Sequence, residues 1–411
     1  MAQLRFSETS MKKIFIILGT FFVLSQGLFA NKINIPRRMV EVGFDLKAGA
    51  GNNYFSAGDI LTENVVIDFT KMEKNLPAKG LEMNFALTEN FFIDVNLKNG
   101  MRFKFSQGLE SDGSLTIHKD LFDFISKGNA LNEEQTFSGD AYGSVFAFFD
   151  TTYGMDIKEW RFEITPAVFI PIAHVEATKM QSKVRNSSDG KVGFDVVTEL
   201  LIHTALGDLK NIVFGDELQC QPGFDLNLSL ERKVFDSLQA QVYLRLPIVP
   251  GKIKYAQKLT QTTSFADTEL LSIVTGKSET EVSTDWDFSE GFSDKINLNR
   301  PLHMGVNVAW RPFGTWCTFR GLGGYGCREP FSSNATSYVE YEAHVDILLI
   351  KIFGFNFSHI YKNQVFTNAF ELQFNFRAVE LDFLIGMQAS NFVHSFTGTG
   401  FVGGVGLKFG W

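Results

Sequence analysis

The stretch that decides the fold is the end of the chain, Phe401 to Trp411 (FVGGVGLKFGW), where Phe401, Val405, Leu407, Phe409 and Trp411 stand at alternate positions. Successive side chains of a β-strand point to opposite faces, so these five share one face. The same period of two runs back through the sequence. Leu381, Phe383 and Ile385 alternate with charged and polar residues; so do Phe370, Leu372, Phe374 and Phe376, then Met304, Val306, Val308 and Trp310. Val242 to Ile248, Phe224 to Leu230 and Val40 to Leu46 follow the same scheme. Near the start, Leu81 to Leu87 reads as one strand, a turn is expected at Thr88 to Asn90, and Phe91 to Leu97 reads as the next. Asn99-Gly100 then makes a hairpin into Met101, Phe103 and Phe105.

Composition bounds the class. The chain has 411 residues, of which 45% are hydrophobic, 14% aromatic and 20% charged; Phe alone contributes 43. A mean hydropathy of +0.00 excludes a bundle of membrane helices, each of which needs about 20 nearly uninterrupted apolar residues. So much Phe excludes disorder. A net charge of −8 with no concentrated basic face excludes nucleic acid as a partner.

Met11 to Ala30 has the parts of a secretory signal: Lys12 and Lys13, an apolar stretch from Ile14 to Leu24, and small residues before Ala30. We expect residues 1–30 to be removed, with Met11 as the candidate true start. A permanent membrane anchor is the rival reading. The first cysteine is Cys220, far from the cleavage point, which argues against an acylated lipoprotein. Cys317 and Cys327 flank a glycine-rich stretch and form a candidate disulfide; three reduced, buried thiols are the alternative. No cysteine or histidine spacing suits a metal, and no cofactor is expected.

A water-soluble sandwich would also alternate, but strands tile the chain without a central linker and aromatics gather near strand ends, as in the girdles of a membrane barrel. At about 10 residues per tilted strand plus connections, residues 31–411 accommodate about 14 strands. The expected fold is all-β: a transmembrane antiparallel barrel with short helical inserts in loops or a plug. Lys119 to Lys127 reads as one short amphipathic helix, stopped by Gly128, and Phe194 to Leu209 as another. Met180 to Gly190 and Thr260 to Ser293 read as polar exposed loops.

Motifs for chemistry are weak. Gly321, Gly323 and Gly326 match GxGxxG, yet Cys327-Arg328-Glu329-Pro330 follows where a dinucleotide site needs a helix. Asp285, Asp287 and Ser289 resemble the start of a calcium loop, but the glycine at Gly291 is one position late. A barrel lipase needs Ser and His together on the lipid face; in Ser358-His359 strand neighbours point apart, and His394-Ser395 fails likewise if it is a strand. More telling are stretches apolar on both faces: Ser144 to Phe149, Phe162 to Ala173 and Ile347 to Phe357. They suit either packing against a plug or an apolar lumen that takes an acyl chain.

The aromatic C-terminal strand resembles the terminal strand recognised by barrel-assembly machinery. Together with the export signal, the KDLFDFISKGN helix and the apolar stretches, the chain resembles the FadL-like outer-membrane long-chain fatty-acid transporters, especially their divergent spirochaete versions. It departs from the better-known pattern in Asn31 to Asn53, which lacks the run of small residues and the Asn-Pro-Ala phrase of the plug. The resemblance implies an outer-membrane location and a barrel often working as a monomer. It also implies passive, non-enzymatic passage of a long-chain fatty acid or other lipid. Capture would be at the outer mouth and release through the wall, with Asn31 to Asn53 as the candidate plug. Candidate ligand contacts are Leu121, Phe122, Phe124, Ile125, Leu200 and Leu201, and the candidate assembly signal is Phe401, Val405, Leu407, Phe409 and Trp411. An adhesin on a barrel scaffold and a general polar porin are the alternatives, with an enzyme last.

Overall fold

The computed structural model describes residues 38–55, 69–127, 134–186, 191–209, 218–269, 282–331, 335–349, 352–362, 365–398 and 400–411. The expected signal, residues 1–30, lies outside them. In chain order the elements are β1 (Val40–Asn52), α1 (Phe69–Asn75), β2 (Leu81–Asn96), β3 (Met101–Ile117), α2 (Lys119–Lys127), β4 (Glu134–Ile157), β5 (Trp160–Asn186), β6 (Lys191–Thr204) and β7 (Cys220–Gln221). They continue as β8 (Gly223–Phe235), β9 (Leu238–Val249), β10 (Gly251–Glu269), β11 (Val282–Phe288), β12 (Phe292–Leu298), β13 (Leu302–Trp310) and β14 (Cys317–Arg328). The last are β15 (Thr336–Leu349), β16 (Phe353–Lys362), β17 (Val365–Asn375), β18 (Val379–Ala389) and β19 (Phe401–Gly410).

Fourteen of these strands close an antiparallel barrel, in the order β1-β2-β3-β4-β5-β8-β9-β13-β14-β15-β16-β17-β18-β19. The ring closes where β19 pairs with β1, from Glu41 opposite Gly410 to Ala50 opposite Phe401. Closure satisfies every backbone donor and acceptor without an edge, which is what a sheet in lipid requires. One end carries short turns and the C-terminus: Leu97 to Gly100, with Gly100 at φ +85°, is one of them. The other end carries the longer connections.

Period two sorts the side chains. Phe103, Phe162, Val306, Val339, Ile385, Phe401, Val405, Phe409 and Trp411 are exposed on the outer face, with Leu407 in the same phase. Arg102, Arg245, Glu340, Asn356, Glu380 and Asp382 are buried on the inner one. A continuous apolar exterior around a polar interior is the pattern of a membrane-spanning barrel.

Four expectations need correction. No turn falls at Thr88 to Asn90: β2 runs through it, because Leu87, Glu89 and Phe91 keep one phase and the register with β1 and β3 is unbroken. Phe194 to Leu209 is not a helix. Its β-branched run Val196-Val197-Thr198 lies in β6, paired with β5 and β10. The described parts of the two expected polar loops are largely strand, residues 187–190 and 270–281 lying outside the described residues. Met180 to Asn186 ends β5, and Thr260 to Ser293 spans the end of β10, β11 and the start of β12. β5, β6 and β10 to β12 thus form a sheet that continues beyond the barrel at the long-loop end. Gln257, fully buried, ties it together by donating to Asp208 Oδ1 (3.1 Å) and to the Ser289 carbonyl (2.9 Å). Finally, the described part of Asn31 to Asn53 is not a plug: Val40 to Asn52 is β1, a full member of the wall.

Candidate functional site

Inside the barrel the charged residues of neighbouring and opposite strands meet. Near the short-turn end, Arg102 of β3 donates to Asp94 of β2 (Nη2 to Oδ2, 2.6 Å) and to Glu163 of β5 (2.5 Å). Lys408 of β19 lies 2.8 Å from both Glu380 and Asp382 of β18. Further up, Arg320 of β14 donates to both carboxylate oxygens of Asp346 on β15 (2.5 and 2.9 Å). These pairs line the wall.

Others cross the lumen. Arg328 of β14 lies 2.6 Å from Asp112 of β3, six places away around the fourteen-strand ring. Its guanidinium also sits over Tyr142 of β4 and Tyr338 of β15 (5.3 and 5.6 Å). Arg245 of β9 reaches Glu110 of β3 (3.4 Å), and so does Arg300 (2.9 Å), which also meets Asp225 (3.3 Å) and Asp150 (3.6 Å). Such contacts require opposing walls to stand within reach of two side chains. Burial alone would discourage these charges, and their mutual pairing offsets that cost. The middle and upper lumen are therefore charged and bridged, where the sequence suggested an apolar lining.

The both-face apolar stretch in β4 has a local explanation. Phe146 and Phe148 point inward and pack with Phe169, Ile253 and Leu298, so the roots of β10 and β12 cover them at the mouth. Arg300 caps this cluster, 5.0 Å above the Phe148 ring. Ile347 to Phe357 runs from the end of β15 into β16; in β16, Phe353 and Phe357 face out while Asn356 is buried inside, so β16 alternates after all.

Of the six candidate ligand contacts, the four with described side chains fall on two elements, α2 and β6. Leu121 and Phe122 are buried; Phe122 packs with Met72, Leu76 and Leu81 between α1 and α2. That accounts for the amphipathic face of α2 as loop packing. The side chains of Phe124 and Ile125 lie outside the described residues. Leu200 and Leu201 are adjacent in β6, paired with Leu259 and Lys258 of β10, and as strand neighbours they point to opposite faces of the extension. Cys317 and Cys327 are both free. They stand at opposite ends of β14, about 33 Å apart at ~3.3 Å per residue, whereas a disulfide needs Cα atoms within about 7 Å. The candidate disulfide is thus ruled out by the strand itself.

Sequence reasoning missed a recess in the outer wall. It spans β13 to β19, has a volume of about 1010 Å³ and is almost wholly apolar. Gly321, Ala343, Phe357, Phe370, Ile385 and Met387 are among its lining residues. Its polar lining residues are Arg320, His344, Ser358, His359 and Asn368; His359 faces out while its neighbour Ser358 is buried inside, as strand alternation requires. Phe370 was visible in the alternation, but the gap between it and residues of neighbouring strands depends on register.

A second buried polar pair lies in the extension. His174 and His203 have ring centroids 6.2 Å apart; His174 Nδ1 meets Ser144 Oγ (3.0 Å) and His203 Nε2 meets Asp294 (3.2 Å). Burial first, and the charge of His203 second, push His174 down to about 4. Among the described residues no group of three or more His, Cys, Asp or Glu side chains is placed to hold a metal.

No protein family and no curated protein matches the sequence. Solved structures do resemble the fold. The toluene transporter TodX of P. putida aligns at TM-score 0.46 and 8% identity, covering 92% of this chain and 91% of that one. A Pseudomonas aeruginosa FadL homologue aligns at TM-score 0.46 and 9% identity, covering 91% and 90%. The translocator domain of the autotransporter NalP from Neisseria meningitidis aligns at TM-score 0.36 and 8% identity, covering 98% and 97%. None supports a spirochaete subgroup. At these scores the likenesses identify neither a family nor a substrate, and the fourteen-strand barrel stands on its own strand pairing.

Proposed function

We propose that this chain is an outer-membrane channel for hydrophobic compounds, with long-chain fatty acids or similar lipids as cargo, moving passively and without a cofactor. In this reading the short turns face the periplasm and the β-extension faces outward, as is usual for such barrels. The signal at residues 1–30 and the assembly signal at Phe401 to Trp411 serve export and insertion of a monomeric barrel.

The observation that carries the reading is the bridging of the lumen from wall to wall by Arg328 and Asp112. A polar porin needs a wet, open path lined by charges. Here the charges neutralise one another across that path, whereas exposed apolar surface lines the wall recess. Cargo captured at the mouth would leave through the wall and not along the axis.

The test is uptake of a labelled long-chain fatty acid by bacterial cells whose outer membrane has no other route for it. Expression of this chain should confer saturable uptake, with no gain in entry of small polar solutes. The β5–β6 and β10–β11 extension favours one second reading, a surface-binding protein on a barrel scaffold. Deleting that extension would then abolish adhesion and leave lipid uptake intact.

A further inference from the structure

The extension meets the barrel through a root that enters the mouth. β9 and β13 are neighbours in the wall, and the ribbon of β10, β11 and β12 rises between them, beginning with Gly251 opposite Leu298 and Ile253 opposite Ile296. The wall beneath receives that root in two rows. In the upper one, Phe148, Phe169 and Gly223 stand opposite one another on β4, β5 and β8. A Cβ on Gly223 would run into the Phe169 ring and one on Gly251 would come within 3.0 Å of it, so glycine at both positions makes room for that ring. Ile253 and Leu298, fully buried, close on this row together with Phe146.

The lower row, two residues or about 7 Å deeper, is Asp150, Ala167 and Asp225 on the same three strands. Arg300, 1% exposed, reaches it past the Phe148 ring. Its Nη1 lies 3.6 Å from Asp150 and 3.3 Å from Asp225, the two carboxylates that flank Ala167, and its Nη2 donates to Glu110 of β3 (2.9 Å). The root thus spans the mouth from the β9 and β13 side to β3, five places from β13 around the ring.

Two features make the root a moving part. Prolines stand where the extension joins the barrel: Pro171 in β5, opposite Phe146 beside a shift in register, Pro250 between β9 and β10, and Pro301 between β12 and β13. Proline removes a ladder hydrogen bond and marks a break in a sheet. The charged pin is also incompletely satisfied: Arg300 Nε and Asp225 Oδ1, both buried, have no hydrogen-bond partner among the described residues. Unseating exchanges buried ion pairs for hydrated ones, so these charges fix where the root sits more than how tightly.

We infer that the root of β10 and β12 is an autoinhibitory stopper: Ile253 and Leu298 occupy the apolar seat of hydrophobic cargo at Phe146, Phe148 and Phe169, Arg300 pins them there, and cargo binds by displacing them. This rests on the hydrophobic-channel reading and adds its regulation. The extension is the stopper's handle, because β10 runs continuously from Gly251 in the root to Glu269, and Gln257 ties it to Asp208 and Ser289.

The experiment follows Leu298→Cys in the full chain with Cys220→Ser, in lipid nanodiscs, by its rate of reaction with a water-soluble maleimide, mapped by mass spectrometry. With the root seated the thiol should react slowly. Arg300→Glu, which sets a fourth carboxylate among Glu110, Asp150 and Asp225, should speed it at least tenfold, with heat-modifiable migration confirming a folded barrel and Cys317 in the wall unreactive. Arg300→Gln, a milder loss of the pin, should give an intermediate rate. In the chain that keeps Arg300, a saturating long-chain fatty acid should speed it at least threefold, and a small sugar should not. A rate unchanged by both Arg300 variants, or unchanged by the acid, would overturn the inference, as would Cys317 reacting in step with the root. Uptake by cells separates the two claims: exposure driven by the acid without uptake leaves the stopper and removes the channel, whereas uptake without such exposure does the reverse.

Discussion

The bridge between Arg328 and Asp112 can be tested by a double-mutant cycle. Arg328→Ala, Asp112→Ala and the pair together would be unfolded by urea from lipid vesicles, with tryptophan fluorescence as the readout. The side chains are 19% and 14% exposed and their nearest atoms are 2.6 Å apart. At charge centres about 4 Å apart and an effective dielectric near 20, the attraction is about 4 kcal/mol. Removing one partner also leaves the other charge poorly solvated, so each single variant should lose about 3 kcal/mol. The double variant should lose much less than the sum, giving a coupling of about 2–3 kcal/mol. Because Arg328 also covers Tyr142 and Tyr338, the arginine variant should be the more damaging of the two. A coupling below about 0.5 kcal/mol, the scatter expected of independent sites, would refute the claim that opposite walls touch here.

Other consequences follow from the same structure. Ile385 is 64% exposed on the lipid face, so Ile385→Lys should cost about 2–4 kcal/mol in the same unfolding assay if it lies near the bilayer midplane. The packed sheet holds His174 at about 4, below the ordinary 6.5, so the opened form takes up a proton first as pH falls. The extension should keep its full stability above about pH 6.5 and lose up to ~1.4 kcal/mol per pH unit between about 6.5 and 4, read as faster amide exchange in β6 and β10. His174→Phe should flatten most of that dependence. Thiol counting after mild oxidation should find Cys317 and Cys327 unlinked to each other; a Cys317–Cys327 crosslink in the folded barrel would contradict the assignment of β14.

Much of the barrel could be read from alternation because alternation is a local property. Phe401 to Trp411 already shows which side chains share a face, and Asn99-Gly100 shows where one hairpin turns. The strand total was accessible from length. What alternation cannot show is which distant strand lies opposite. Asp112 and Arg328 are ordinary inward charges until closure brings β3 before β14, and Phe146 is merely an odd apolar residue until Ile253 and Leu298 arrive from β10 and β12.

The misread helix at Phe194 to Leu209 has a similar origin. Its apolar residues fit either period over so short a span, and pairing with β10, about 60 residues away, decides for the strand. The candidate disulfide failed because two cysteines ten positions apart are close only if the chain between them folds back. The run between them stays extended along β14. The wall recess was beyond reach for the opposite reason: its residues come from separate strands and meet only through register.

The most direct measurement is equilibrium binding of a fluorescent long-chain fatty acid to the detergent-purified chain, with unlabelled acid and a small polar solute as competitors. Saturable binding, displaced by the acid and indifferent to the solute, is the result expected of a channel for hydrophobic compounds. Signal that rises linearly with probe and matches protein-free micelles would contradict it.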